Sequence, residues 1–433
     1  MKKLVVIMVS FLFAIVPVFA GGNGEAANDS GEGTVTLRFM NWGSAEESTK
    51  AAFSAMIAKF EADNPDIKIE NIPLPFNQML DQLLILNAGG TPPDVAQLSG
   101  YWMSAVTNAG MLADMGSLVP AETLSDFYPT LLESLTYDGT LYALPWSPSP
   151  VVLYYNKELL RRAGIENPPT TMQELFDYAE RISALGSDGD NNTIYGLGIQ
   201  SKKLGNAGLY FLPYIWNYGG DLVDENGNVS IGNAGTQRAL TVAQKLFDNN
   251  ITPAGLEIKD LRNLFAQGNL GFHFDGDFGY PVFLGLSPEG TGFAKDIGIT
   301  QVPRDSLSMT NPYLEHNLGV FAGSAHQEAA TRFALYLSSP EAMAIYNANN
   351  GNKTPGRYSV ESLPFYSNPE NAHMQIFIDT MGVAKPFPQK SPNFLAAMEE
   401  LAEGIQRVGI NNEDPSIVTS DLQARIERIY AEN

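Results

Sequence analysis

The chain has 433 residues, a formal net charge of −22 and no cysteine. Such acidity argues against nucleic acid and anionic membrane as partners. The lack of cysteine excludes disulfides, thiolate metal sites and a cysteine-borne lipid anchor. Its length fits two domains.

The N-terminus reads as an export signal: Lys2 and Lys3, an apolar core from Leu4 to Val16, and small residues up to Ala20, after which cleavage is expected. Residues 21–33, rich in Gly, Asn and acids, read as a flexible tether. The exported chain, with no cysteine to lipidate, is expected free in the periplasm. No later apolar run approaches the ~18 residues that would span a bilayer.

Thr34 to Trp42 alternates like a strand, and a helix follows with Ser44 as expected N-cap and a stop at Asn64-Pro65. "DIKIENIPL", "FNQMLDQLLILNAGG" and "PPDVAQLS" continue as strand, helix and strand. This alternation predicts a parallel sheet flanked by helices, with ligands beyond the carboxyl ends of its strands. Those ends carry Asn41 and Trp42, then Ser99, Tyr101 and Trp102.

"YALPWSPSPVVLYYNKELLRRAGI" sets Pro145, Pro148 and Pro150 around Trp146, then a strand and a helix stopped by Gly164. Prolines fix the backbone and remove donors, so this run is a stiff connection. Ser187 to Gly196 has oxygen-bearing residues at alternate positions but lacks the closing glutamate of a calcium loop, so it reads as a polar turn. Leu204 to Tyr218 is helical and ends in Gly219-Gly220-Asp221; two more helices follow. "LGFHFDGDFG" is a strand broken at Asp275-Gly276-Asp277. "DIGITQVP" and "HNLGVFAG" add strands, and the remainder is helical.

Six pieces in this order carry a family resemblance: "NAGGTPPDVAQLS" with "AGMLADM"; the Tyr142–Ile165 run preceded by "YDGT"; "PPTTMQELFDYAERI"; "FAQGNLGFHFDGDFG"; "IGITQVP"; and "EAATRFALYLSSPEAMAIYN" with "TPGR". Over Thr34 to Tyr430 the chain resembles the extracellular solute-binding proteins of ABC importers, in the maltose/oligosaccharide-binding class. The resemblance implies a two-lobed α/β periplasmic-binding-protein fold, each lobe a mainly parallel sheet flanked by helices and joined by hinge crossovers. Lobe one would comprise 34–146 and 291–325, and lobe two 147–290 and 326–433. It further implies a monomeric, non-enzymatic receptor that captures a mono- or oligosaccharide in the interlobe cleft and passes it to the transmembrane subunits of an ABC permease. No cofactor or metal is expected.

Sugars are held by aromatic faces and planar polar side chains. The expected ligand set is therefore Asn41, Trp42, Asn77, Ser99, Tyr101, Trp102, Trp146, Ser147, Ser149, Trp216, Tyr218, Asp221, Asp275, Asp277, Phe278, Asn317 and Arg357. Trp146 either touches ligand or packs the hinge. Trp216 to Asp221 resembles the family's "W…GG" segment but also fits a helix C-terminus with left-handed glycines. His273 and His316 read as structural or rim residues, without partners at metal-ligand spacing. Basic residues are few around these loops, which favours a neutral ligand over a phosphate. Two further readings are a different solute (a polyol, a glycerol-phosphate diester or a peptide) and a carbohydrate hydrolase using Asp275 and Asp277 as acid and base.

Overall fold

The computed structural model describes residues 34–305, 311–349, 353–388, 390–391 and 393–431. The expected export signal and tether lie outside these residues. Among the described residues no helix is long and apolar enough to cross a membrane.

The strands that matter here are β1 (Val35–Asn41), β2 (Ile67–Pro73), β3 (Val95–Ser99), β4 (Leu144–Pro150), β5 (Val152–Asn156), β6 (Tyr195–Gly198), β7 (Leu270–Asp275), β8 (Ile297–Thr300), β9 (Pro312–Val320) and β10 (Lys385–Pro386). The helices are α1 (Glu47–Asp63), α2 (Phe76–Ala88), α3 (Met172–Ser183), α4 (Gly205–Asn217), α5 (Ala234–Asp248), α6 (Ile258–Ala266), α7 (Gly279–Leu286), α8 (Gln327–Leu337), α9 (Pro340–Ala348), α10 (Phe394–Gly409) and α11 (Pro415–Ala431).

Two sheets organise the fold. The first runs β10-β9-β3-β1-β2, with β4 also paired to β9. β1 pairs in parallel with β2 and β3, as the strand-helix-strand pattern requires. The second runs β8-β5-β7-β6, parallel between β6 and β7. Apolar alternation from Val151 into β5 feeds both cores: Val152 and Tyr154 join the cluster that also packs the first sheet, while Val151 and Leu153 join the cluster under α3, α4 and α10.

Sheet membership departs from the expected lobe limits. β4 stays with the first sheet as far as Pro150, so the chain changes sheets at Val151 rather than at Trp146–Ser147. β8 pairs with β5 in the second sheet, although 291–325 was expected in lobe one. α8 and α9 pack on β1 and α1, although 326–433 was expected in lobe two. The physical reason is pairing. Pro148 and Pro150 still lie against β9, because the donors they lack do not break the ladder of an edge strand. Val151 N–H then donates to the Pro312 carbonyl at 2.8 Å, and Asn311 Nδ2 to the Val151 carbonyl at 3.0 Å. Two sheet-to-sheet connections are thus tied together where they cross.

The start of α1 also differs from expectation. Asn41 Oδ1 takes the Ser44 N–H at 2.7 Å, and the Trp42 carbonyl takes the Ala45 and Glu46 N–H groups. Ser44 is therefore consumed in a turn, and the helix begins at Glu47 with Glu46 at the N-cap.

Close backbone contact fixes the second sheet. A Cβ at Gly196 would lie 1.9 Å from the Ala179 carbonyl oxygen, so α3 rests directly on β6. Backbone cannot yield as a side chain can. Gly196→Ala should therefore cost about 3 kcal/mol, the upper end of overpacking penalties. A urea midpoint indistinguishable from that of the parent protein would rule this out.

Candidate functional site

The carboxyl ends of β1 and β3, the faces of β4 and β9, and helices α6 and α7 enclose a cavity of about 890 Å³. Period-2 alternation decides which residues reach it. On β3, Gln97 and Ser99 line the cavity; on β9, Leu314 and His316 do. Asn317 therefore points away, buried with its Nδ2 donating to Glu315 Oε2 at 3.3 Å. Ser147, the neighbour of Trp146 on β4, is likewise buried away from the cavity.

Aromatic rings form the floor. Trp42 packs edge-on against Phe76 (5.2 Å), Trp102 (5.6 Å) and His316 (5.0 Å). Trp102 stands behind this group rather than in the cavity wall. Trp146 lines the cavity but is only 3% exposed. Its ring meets Phe53 and Tyr346, and its Nε1 donates to the Leu337 carbonyl at 3.0 Å. The side chain is thus packed at the sheet junction with one edge in the cavity wall. Burial pushes the Tyr101 hydroxyl up to about 12, with the Ser99 side chain opposing the shift. Tyr101, Asn77 and Phe278 also line the cavity.

The carboxylates do different work from that expected. Asp275 is fully buried and takes Arg262 Nε at 2.6 Å and Nη2 at 2.8 Å, with the Tyr210 hydroxyl at 3.3 Å. Burial alone would raise its pKa. The Arg262 charge and hydrogen bonds, with His273 beside them, reverse this and hold it well below the usual carboxylate range. Asp277 takes Ser149 Oγ at 2.7 Å through one oxygen, and Thr354 N (2.7 Å) and Oγ1 (2.8 Å) through the other. Neither carboxylate lines the cavity, and each is committed to internal donors. They are not placed as the acid and base of a hydrolase, and Ser149 is a strut for Asp277.

Five further expected contacts lie away from the cavity. Trp216 Nε1 donates to Asp221 Oδ1 at 2.8 Å, Lys385 Nζ sits 4.0 Å from the Trp216 ring, and Arg238 stacks on Tyr218 at 4.6 Å. Trp216, Tyr218 and Asp221 thus complete a helix end. Arg357 pairs with Asp126 at 2.7 Å and lies over Phe127. Asn41 is buried beneath Trp42, spent on Ser44 N–H and on Asn71. The Ser187–Gly196 loop is a polar turn: Asp188 accepts from Asn192, Asp190 and Asn269, and these bonds, Asn269 first, pull its carboxyl down to about 2.

The second-sheet wall was not anticipated. Gln200, Asn206, Tyr210, Glu257 and Arg262 supply its polar groups, with Ile258, Pro281, Val282 and Leu286 as its apolar ones. Glu46, Ser48 and Thr49 at the start of α1, with Tyr346 and Lys353, complete the first-sheet side. The surrounding walls raise the Glu46 carboxyl, against the lowering influence of Lys353 and Arg262. Burial, then the Lys353 charge, keeps His316 neutral by lowering its pKa well below the ordinary value.

Residues 43–344 match the family described as bacterial extracellular solute-binding protein. The diacetylchitobiose-binding protein of Streptomyces coelicolor is 26% identical over 352 residues, covering 76% of this chain and 74% of the relative. The galactooligosaccharide-binding protein of Bacillus subtilis is 24% identical over 289 residues, 65% of each. An ABC transporter solute-binding protein of Thermotoga lettingae, solved with α-D-tagatose, superposes with a TM-score of 0.79 at 23% identity, covering 92% of this chain and all of that one.

Proposed function

Because the chain belongs to the bacterial extracellular solute-binding proteins, we propose that it is a periplasmic receptor that captures a mono- or oligosaccharide and delivers it to an ABC permease. The observation that carries this reading is the aromatic-floored cavity of about 890 Å³ between the two sheets. Its size suits a small ligand, and its mixture of rings and planar polar groups suits a pyranose with an apolar face and a hydroxylated edge. Relatives named for diacetylchitobiose and galactooligosaccharide support the same class.

The two sheets are the cores of the two lobes. The tied connections at Val151 and Asn311–Pro312 form part of the hinge. Ligand contacts both lobes only when they approach, so binding shifts the equilibrium toward the closed form. The receptor works as a monomer and needs no cofactor.

A thermal-shift screen of saccharides and polyols tests the reading. A solute at a hundred times its Kd should add about 2.7 kcal/mol of stability. A peptide that shifts the melting temperature where every carbohydrate fails would overturn the ligand class. Tryptophan variants test the site. Trp42→Phe should weaken binding of the saccharide hit about five- to tenfold, through the smaller stacking face. Trp216→Phe should leave both affinity and the ligand-induced emission change intact. Equal losses in the two variants would contradict this placement.

A further inference from the structure

One charge in the cleft is left without a counter-ion among the described residues. Lys353 lines the cavity and is only 6% exposed. Its Nζ lies 5.5 Å from the centre of the Phe278 ring, and among the described residues it has no ion-pair partner. Among the described residues the other charged groups of the cavity wall are accounted for, Glu257 by Lys202 and Lys259. Arg262 is held by Asp275. Asp277 spends its oxygens on Ser149 and Thr354. His316 is neutral. Glu46 stands exposed at the mouth, close enough to feel both Lys353 and Arg262.

The lysine is also fixed in place. The Tyr366 hydroxyl donates to the Lys353 carbonyl at 2.6 Å, and the next residue, Thr354, is bound through N and Oγ1 to Asp277. Its backbone is therefore held on its carboxyl side, which lowers the entropic cost of presenting the ammonium to the cavity. A buried ammonium against a ring is poorly compensated, and an arriving anion forms a charge-assisted hydrogen bond with it in a weakly screening site.

We propose that the solute is an acidic saccharide whose single carboxylate, as in a uronic acid, is received by Lys353 while Trp42 and Trp146 cover the sugar ring. This rests on the saccharide reading above and narrows it. A carboxylate is favoured over a phosphate monoester because the latter carries nearly two charges. Among the described residues it would meet one cation without an ion-pair partner, with Glu46 opposing.

Isothermal titration tests this with galacturonate, glucuronate and their short oligomers, the matching neutral sugars, and glucose 6-phosphate. The uronates should bind at least about tenfold tighter than their neutral counterparts, with affinity falling as salt rises. Lys353→Met should remove that tenfold advantage. Glu46→Gln, at an exposed position, should tighten uronate binding about threefold and decides the matter if Lys353→Met does not fold. Neutral sugars binding as tightly as uronates, or glucose 6-phosphate binding tightest, would overturn the carboxylate while the saccharide reading stands. Failure of every sugar, charged and neutral, would overturn both.

Discussion

Asp275→Ala is expected to lower the stability of the fold by about 3–5 kcal/mol, the cost of taking one partner from a buried ion pair. The carboxylate is fully buried at the end of β7, and Arg262 on α6 is mostly buried against it. Without Asp275, the guanidinium keeps its charge with no counter-ion. The Tyr210 hydroxyl and the Gly276 N–H, which donates to Asp275 at 2.9 Å, also lose their acceptor. Replacing both partners, as in Arg262→Met with Asp275→Leu, should recover much of the loss, because the penalty lies mainly in the orphaned charge. Urea unfolding measures each step. A single-variant loss below about 1 kcal/mol, the scale of an exposed pair, would show that the pair is not the anchor described.

The same pair sets an acid dependence. The folded Asp275 pKa is depressed below its unfolded value, so its contribution is present above about pH 4 and is lost as pH falls toward the folded pKa. The parent protein should therefore lose stability between about pH 4 and pH 2 faster than Asp275→Asn, which has no carboxyl to protonate. Parallel slopes for the two proteins would remove the ion pair from the account.

Much of the scaffold was legible because its signals are local. β1 to β3 with their intervening helices follow from apolar period and turn residues, as does the stiff run around Trp146. The site was legible only in part, because reaching the cavity depends on register and on distant partners. Asn317 was chosen where His316, one residue away, faces the cavity; a single step along a strand reverses the face. The Trp216–Asp221 segment looks the same whether its ring meets a ligand or closes a helix end, and Lys385, far along the chain, settles that it does the second. Arg262 was missed because its meaning comes from Asp275 on another element, a pairing that no local spacing marks. Ser44 shows the opposite failure: its capping signal was real, but the Asn41 side chain took its N–H first.

Trp146→Ala should cost about 3–5 kcal/mol, the range for deleting a large buried aromatic. The ring fills space between Phe53 and Tyr346, and its partner atom lies on another element: the Leu337 carbonyl at the end of α8, one of the acceptors a helix leaves without an internal donor. The indole therefore ties β4, just before the chain changes sheets, to a helix of the first-sheet layer. Trp146→Phe separates packing from hydrogen bonding. It keeps most of the apolar contact but leaves that carbonyl unpaired, at about 1–3 kcal/mol. If the ring also covers the sugar, Trp146→Phe should weaken saccharide binding about five- to tenfold, as Trp42→Phe does, beyond any effect on stability. Full affinity in a destabilised Trp146→Phe protein would assign the residue to the hinge alone. The Nε1 bond anchors the indole to the first-sheet layer, so the rigid run of prolines and the tryptophan among them form a fixed floor of the cavity.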